Sequence, residues 1–111
     1  MKKGTFKVLQ RIHLKKGYEN QLKELEGTFE IHGVLMIHKT AQQKKYSISH
    51  IKTGGAYIHS LTLKEARTLT KMVKDYTCWK AKDYEELERK CHSRRWKGKL
   101  EKAILKALET V

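Results

Sequence analysis

The spacing of the apolar residues changes near Ser60, and this change limits the folds that the chain can adopt. Before Ser60, apolar and polar residues alternate in several short stretches, as they do along strands that bury one face. After Ser60, apolar residues recur every three or four positions, which is typical of amphipathic helices. With 111 residues, the chain has room for one hydrophobic core. The sequence therefore predicts a single α+β domain over residues 1–111, with strands mainly in 1–61 and helices mainly in 62–111.

Two alternating stretches predict the first strands. Thr5–His13 alternates roughly, and Thr28–His38 alternates more cleanly. Between them, Leu14–Gly27 is polar and its apolar residues have helical spacing, so a short helix and a long loop both remain open. Because strand side chains point to opposite faces in turn, one parity of Thr28–His38 should face the core. These residues are Phe29, Ile31, Leu35 and Ile37.

Two further strands are predicted over Lys44–Lys52 and Ala56–Leu61. Thr53-Gly54-Gly55 lies between them, and glycine adopts positive φ without steric cost, so a tight hairpin turn is favoured. A four-stranded antiparallel meander is the simplest arrangement. The predicted fold class is α+β, with a small antiparallel sheet of three to four strands followed by two or three C-terminal helices.

The second half of the chain carries clear helix signals. Thr62 and Glu65 fit a capping box, in which each side chain accepts a hydrogen bond from the other residue's backbone N–H. Asp83 can cap a second helix, and the acids that follow it suit the positive end of the helix dipole. A last amphipathic segment is marked by apolar residues at helical spacing. They are Trp96, Leu100, Ala103, Ile104, Ala107, Leu108 and Val111.

The chain has a formal net charge of +13, much of it near the C-terminus. From Arg89 to Lys106 there are eight Lys/Arg residues and one acid, Glu101, which is a net +7. A polyanion is the partner that such a charge density attracts most readily, and nucleic acid is the commonest one in a cell. The candidate nucleic-acid-binding residues are Arg89, Lys90, Arg94, Arg95, Trp96, Lys97, Lys99 and Lys102.

Each of these residue types has a structural alternative. Arg94 and Arg95 could grip phosphate oxygens with paired N–H groups, but basic residues opposite an apolar stripe also form the solvated face of any surface helix. Trp96 could stack on an unpaired base, or it could anchor the last helix to the sheet. No helix-turn-helix, zinc-finger or RNA-recognition motif is evident, so sequence-specific readout is not expected.

The histidines and cysteines give little support for an enzyme. In a hairpin centred on the glycine pair, His50 and His59 could approach each other as an acid–base pair or as two metal ligands. A metal normally needs three or four ligands, however, and no carboxylate lies at a telling spacing. Structural or surface histidines are therefore expected, and Cys78 and Cys91 are expected to be small buried hydrophobic residues. We predict no catalytic residues, no metal and no cofactor.

The segment from Tyr46 to Trp79 resembles a pattern in small proteins borne by phages and plasmids. In those proteins, a strand ending in His-Ile-x-Thr-Gly runs through a second strand into a helix that opens with Thr-x-Lys-Glu-Ala. This chain has His50-Ile51-Lys52-Thr53-Gly54 and Thr62-Leu63-Lys64-Glu65-Ala66, and Trp79 stands where a tryptophan often follows the helix. The resemblance carries no catalytic residue over. It implies an accessory protein of a mobile element in a prokaryotic cytoplasm.

We therefore expect a small, non-catalytic, cytoplasmic protein that contacts the phosphates of DNA or RNA without sequence preference. The alternative is a protein-interaction module that docks on an acidic host or phage protein, with Trp96 or Trp79 as its apolar anchor. No apolar run approaches the length of a membrane span, so no membrane partner is expected. An open sheet edge or the last helix could support a homodimer.

Overall fold

The computed structural model describes residues 1–110 and shows an α+β fold, in which an antiparallel sheet is followed by helices. The predicted class is confirmed, but the sheet has five strands rather than the predicted three or four. The strands lie in sequence order, so each pairs with its neighbours along the chain in a meander. The elements are β1 Lys2–Leu14, β2 Gly17–His32, β3 Leu35–Thr40, β4 Tyr46–His50, β5 Ala56–Leu61, α1 Leu63–Val73, a 3₁₀ turn Thr77–Trp79, α2 Tyr84–Cys91 and α3 Arg94–Thr110.

Strands β1 and β2 form a long hairpin that pairs along the whole of β1, as far as Leu14 and Gly17. The prediction of a short helix or a long loop over Leu14–Gly27 is therefore wrong. The physical reason is exposure, because every side chain of residues 17–24 is exposed. A strand without a buried face is under no pressure to alternate apolar and polar residues, so it lacks the pattern that reveals strands.

A tight turn at Gly33-Val34 divides the predicted strand Thr28–His38 into the end of β2 and the start of β3. Gly33 has a φ of +62°, a conformation that other residues adopt only with strain. Across the turn, the even-numbered residues of β2 share a face with the odd-numbered residues of β3, and this face is covered by the helices. Leu35 and Ile37 are fully buried, as predicted, whereas Ile31 is exposed, so the prediction for that residue is wrong.

The local signals of the second half are confirmed. Strand β5 spans Ala56–Leu61 as predicted. The capping box at the start of α1 is complete, since Glu65 N–H donates to Thr62 Oγ1 and Thr62 N–H donates to Glu65 Oε1. Asp83 caps α2 by accepting a backbone N–H of its first turn at 2.9 Å. Val111, predicted to continue the last apolar stripe, lies outside the described residues.

The helices cover one face of the sheet and form the main core with it. Trp79 Nε1 donates to the carbonyl of Val73 at 2.7 Å, which fixes the 3₁₀ turn against the end of α1. Tyr57 donates its hydroxyl to the carbonyl of Leu100 at 2.9 Å and so joins β5 to α3, and burial raises the pKa of that hydroxyl. The larger apolar residues of this core are Leu35, Ile37, Ile48, Leu61, Leu69, Val73, Trp79, Leu87 and Leu100.

A smaller apolar cluster lies apart from the main core and joins side chains of β1, β2 and β3. It consists of buried Phe6, Val8 and Met36, with the predicted core residue Phe29 only partly buried against it. Next to this cluster, Leu9 N–H donates to the carbonyl of Gly54 at 2.9 Å. This hydrogen bond ties β1 to the turn between β4 and β5, and it holds the base of the long hairpin in place.

Candidate nucleic-acid interface

Helix α3 presents four basic residues along one line. An α-helix has 3.6 residues per turn, so the residues four, seven and eleven positions after Arg95 lie close to the same face. All three are lysines, and we call Arg95, Lys99, Lys102 and Lys106 the basic stripe. The basic stripe runs along α3 beside the apolar face that packs on the core, where Leu100 and Ala103 are buried.

The basic stripe borders an open groove between α3 and the C-terminal end of α1. The groove has a volume of about 550 Å³. Met72, Tyr76 and Thr77 line it on the α1 side, and Trp96 lines it on the α3 side. Asp75 contributes a carboxylate to the same wall. The groove therefore combines four cations with two aromatic rings and one acid, a composition suited to a polyanion with exposed bases.

Trp96 anchors α3 and also holds two cations in place. Its half-buried ring packs against the main core and lies 5.3 Å from the ring of Tyr76. Above it, the Arg95 guanidinium lies 5.3 Å and the Lys99 ammonium 4.9 Å from the ring centre. Cation–π contacts of this kind restrict long side chains, so two members of the basic stripe are partly ordered before any partner binds. The anchoring role is thus what the structure shows for Trp96.

The groove is lined by four of the eight predicted residues. Arg95, Trp96, Lys99 and Lys102 line the groove, but the other four lie elsewhere. Lys90 pairs with Glu86 at 3.1 Å and also donates to the carbonyl of Lys80, so its charge is already engaged. Lys97 lies on the other flank of α3, where it lines a second cavity together with acidic Glu88 and Glu101. Exposed Arg89 and Arg94 are not part of the groove wall.

Six of the ten residues that line the groove were not among the candidate contacts, and two of these are Lys106 and Tyr76. Lys106 was counted in the charge of the segment but was not among the candidate contacts, although its spacing of eleven from Arg95 places it on the basic stripe. Tyr76 lies beyond the end of α1, against Trp96. That contact joins a residue that follows α1 to a residue of α3, so no local pattern could have indicated it.

His50 and His59 do not approach each other as an acid–base pair or as two metal ligands. His50 N–H donates to the carbonyl of Gly55, which places His50 opposite the turn rather than opposite His59. Its ring stacks on Trp79, and its Nδ1 is hydrogen-bonded to Thr53 Oγ1 at 2.9 Å. Burial lowers the pKa of His50, so the ring is neutral and structural at neutral pH.

His38 and His59 each pair with a serine. His38 Nε2 and Ser49 Oγ are hydrogen-bonded at 2.8 Å, and His59 Nδ1 and Ser47 Oγ are hydrogen-bonded at the same distance. Burial, with a smaller contribution from the charge of His59, lowers the pKa of His38 to about 4. His38 and Ser49 are both buried, so that pair is closed to a substrate, whereas Ser47 is buried beside an exposed His59 that lines an open cavity with it. These contacts support the sheet.

The second cavity lies between β5, α2 and α3 and has a volume of about 200 Å³. Tyr57, Trp79 and Leu100 form much of its apolar wall, and Cys91 lies at its edge. The thiol of Cys91 is hydrogen-bonded to that of Cys78, which raises the pKa of Cys78 and lowers that of Cys91. Cys78 is fully buried, as predicted, and Cys91 is half-buried.

Across residues 1–110, no three His, Cys, Asp or Glu side chains come together as a set of metal ligands. Within the same residues, no helix is long and apolar enough to cross a membrane. Comparison with known proteins gives no match, since no family model, no curated protein and no solved structure matches this chain.

Proposed function

We propose that this protein is a small, non-catalytic nucleic-acid-binding accessory protein of a prokaryotic mobile element, and that it acts in the cytoplasm. It contacts phosphates through the basic stripe. The observation that carries the proposal is the alignment of Arg95, Lys99, Lys102 and Lys106 beside a groove that also contains Trp96. The formal charge of +13 supports the same class of partner.

The dimensions of the basic stripe suit a nucleic-acid backbone. At a rise of 1.5 Å per residue, the stripe extends roughly 16 Å along α3 from Arg95 to Lys106. One strand of a duplex presents a charge about every 3.4 Å of helix axis, so several phosphates fall within this length. The contacts are to the backbone and not to base edges, so this site gives no sequence preference.

Steep salt dependence is the first expected property. If four cations each neutralise a phosphate of duplex DNA, the binding constant should fall roughly 100-fold between 50 and 200 mM salt. Fluorescence anisotropy of a labelled duplex, titrated with the protein at several salt concentrations, measures this slope. A shallow slope would mean that phosphates are not the main contact.

Charge reversal tests the position of the site. Lys99→Glu with Lys102→Glu removes two contacts of the basic stripe and should weaken binding roughly 60-fold at 0.1 M salt. Arg89→Glu with Arg94→Glu makes the same change in net charge away from the groove and should weaken binding much less. Equal losses in the two double variants would assign binding to overall charge and would remove the groove as the site.

The protein-docking alternative has one observation in its favour. Leu105 and Leu108 of α3 are 62% and 40% exposed, and they could form an apolar contact with an acidic partner. Trp79 is only 4% exposed, so it is not the anchor that was expected for this role. Co-purification of an acidic protein whose binding is lost on Leu105→Ser, with no nucleic acid retained, would favour this alternative.

A further inference from the structure

The tip of the β1–β2 hairpin stands away from the rest of the protein. Strand β3 pairs with β2 only from Gly27 onward, so the earlier part of β2 has β1 as its only sheet neighbour. The hydrogen bond from Leu9 to Gly54 marks the base of the free part. We call Gln10–Gln21 the ribbon. It contains two strands of about five residues joined by a two-residue turn, and it extends roughly 17 Å at 3.4 Å per residue.

The ribbon is exposed nearly throughout, including side chains that usually avoid water. Its residues are exposed except for Ile12, which is half-buried. Leu14 is 52% exposed and Tyr18 is 64% exposed. A two-stranded hairpin is at best marginally stable in water, and these side chains have no core to enter. A free ribbon of this kind is better explained by a partner than by the stability of the fold.

One face of the ribbon carries hydrogen-bonding side chains and no acid. Because partners across a strand pair share a face, Arg11 and Asn20 lie side by side, as do His13 and Tyr18. The Arg11 guanidinium lies 5.2 Å from the centre of the Tyr18 ring, and the His13 and Tyr18 rings are 4.8 Å apart. The acid Glu19 is on the other face, where Gln21 donates to it.

The tip of the ribbon adds two cations. Lys15 and Lys16 form the turn itself, so they are the most distant point from the base of the hairpin. With Arg11 and Glu19, the ribbon has three basic residues and one acid, which is a net +2. The cationic turn is complementary to phosphates, which form the rims of a nucleic-acid groove. The face that carries Arg, Asn, His and Tyr is complementary to the hydrogen-bond donors and acceptors on the floor of the groove.

We propose that the ribbon enters the major groove of double-stranded DNA, where Arg11 and Asn20 contact base edges and Lys15 and Lys16 contact phosphates. This inference rests on the proposed function and specifies its partner. The major groove of B-form DNA, about 12 Å wide and 8.5 Å deep, admits a two-stranded ribbon. The major groove of duplex RNA is too narrow and deep for side chains to read. Arg and Asn are the residues that pair with guanine and adenine edges there, so the ribbon also gives the protein a sequence preference.

The test compares two ribbon variants on duplex DNA and on duplex RNA of the same sequence. Arg11→Ala with Asn20→Ala removes both proposed base contacts and should lower the affinity for DNA about tenfold or more, because the loss of one base contact typically lowers affinity by about that factor. Affinity for duplex RNA should change less than affinity for DNA. Gln10→Ala with Gln21→Ala is the matched control, because this strand pair lies one position closer to the base on the opposite face. It should bind both nucleic acids as the unaltered chain does.

Chemical protection gives a second readout that uses the unaltered chain. Dimethyl sulfate methylates guanine N7, which faces the major groove. Bound protein should protect N7 positions in duplex DNA, and the Arg11→Ala with Asn20→Ala variant at saturating concentration should not. Protection that is absent with the unaltered chain, while the DNA is bound, would overturn the inference.

The outcomes separate this inference from the proposed function. Loss of binding in Lys99→Glu with Lys102→Glu, with unchanged DNA affinity in the ribbon variant, would overturn the ribbon and keep the basic stripe. Equal losses on DNA and RNA in the ribbon variant would make the ribbon a phosphate contact and overturn groove reading. An unaltered chain that binds no nucleic acid at low salt would overturn both proposals.

Discussion

Replacing Gly54 with Ala should loosen the attachment of the long hairpin to the rest of the protein. Gly54 has a φ of +74°, where a non-glycine residue costs roughly 1–2 kcal/mol. A Cβ at this position would also lie 2.9 Å from Leu9 N and 2.6 Å from Leu22 Cδ1. The hydrogen bond from Leu9 N–H to the Gly54 carbonyl must then lengthen or break, which costs about 1 kcal/mol more. The expected total is roughly 2–3 kcal/mol of the free energy of unfolding.

Gly33→Ala is the matched control for this prediction. Gly33 also has a positive φ, of +62°, but a Cβ there would have no heavy atom within 4 Å. It should therefore lose only the conformational part, roughly 1–2 kcal/mol. Urea unfolding followed by tryptophan fluorescence gives both free energies, and amide hydrogen exchange of Leu9 reports the hydrogen bond itself. That amide should lose its protection in Gly54→Ala and keep it in Gly33→Ala. Equal destabilisation of the two variants, with Leu9 still protected in both, would refute the reasoning.

Three other predictions concern the core and the pH dependence of stability. Ile37→Ala removes a fully buried side chain of the central strand and should lower the free energy of unfolding by about 3 kcal/mol, measured as a lower urea midpoint. Hydrogen bonds from Arg67 and His32 lower the pKa of Glu30 to about 2, so their stabilisation is present above pH 4.5 and is lost as the pH falls toward 2. In Glu30→Gln, unfolding curves taken across that range should show a weaker pH dependence, and an unchanged one would remove the ion pair as its cause. Burial lowers the pKa of His38 to about 4, so the unfolded chain binds the proton more readily and stability should fall by up to about 3 kcal/mol as the pH falls from 6.5 to 4. His38→Gln should flatten that part of the profile, and a profile as steep as before would show that His38 is not responsible.

The parts of the fold that were predictable depend on neighbours in sequence. Thr62 and Asp83 cap helices through residues three positions away, and β5 lies between clear boundaries. The break at Gly33-Val34 was not predictable from alternation. Odd-numbered apolar residues occur both before and after the turn, but they face one side of the sheet in β2 and the other side in β3. The exposed part of β2 had no pattern to read at all, since neither of its faces is buried.

The candidate site was predictable only in part, for the same reason. The basic stripe follows from spacing along one helix, once that helix is known to run through Gly98 without a break. The position of Arg89 and Lys90 away from the basic stripe was not predictable, because it depends on where α2 ends and α3 begins. The contact of Trp96 with Tyr76 depends on how two helices pack.

The meander order of the sheet has a consequence for the path by which the chain folds. Every strand pairs with the strand next to it in sequence, so each hairpin can form by closing a short loop, which favours rapid early folding. The helices come later in the chain, and the hydrogen bond from Tyr57 to Leu100 spans 43 residues. During synthesis, the sheet can therefore assemble while the apolar side chains of Leu35, Ile37 and Ile48 are still uncovered. Until α1 and α3 dock, this uncovered apolar face makes a nascent chain prone to aggregate.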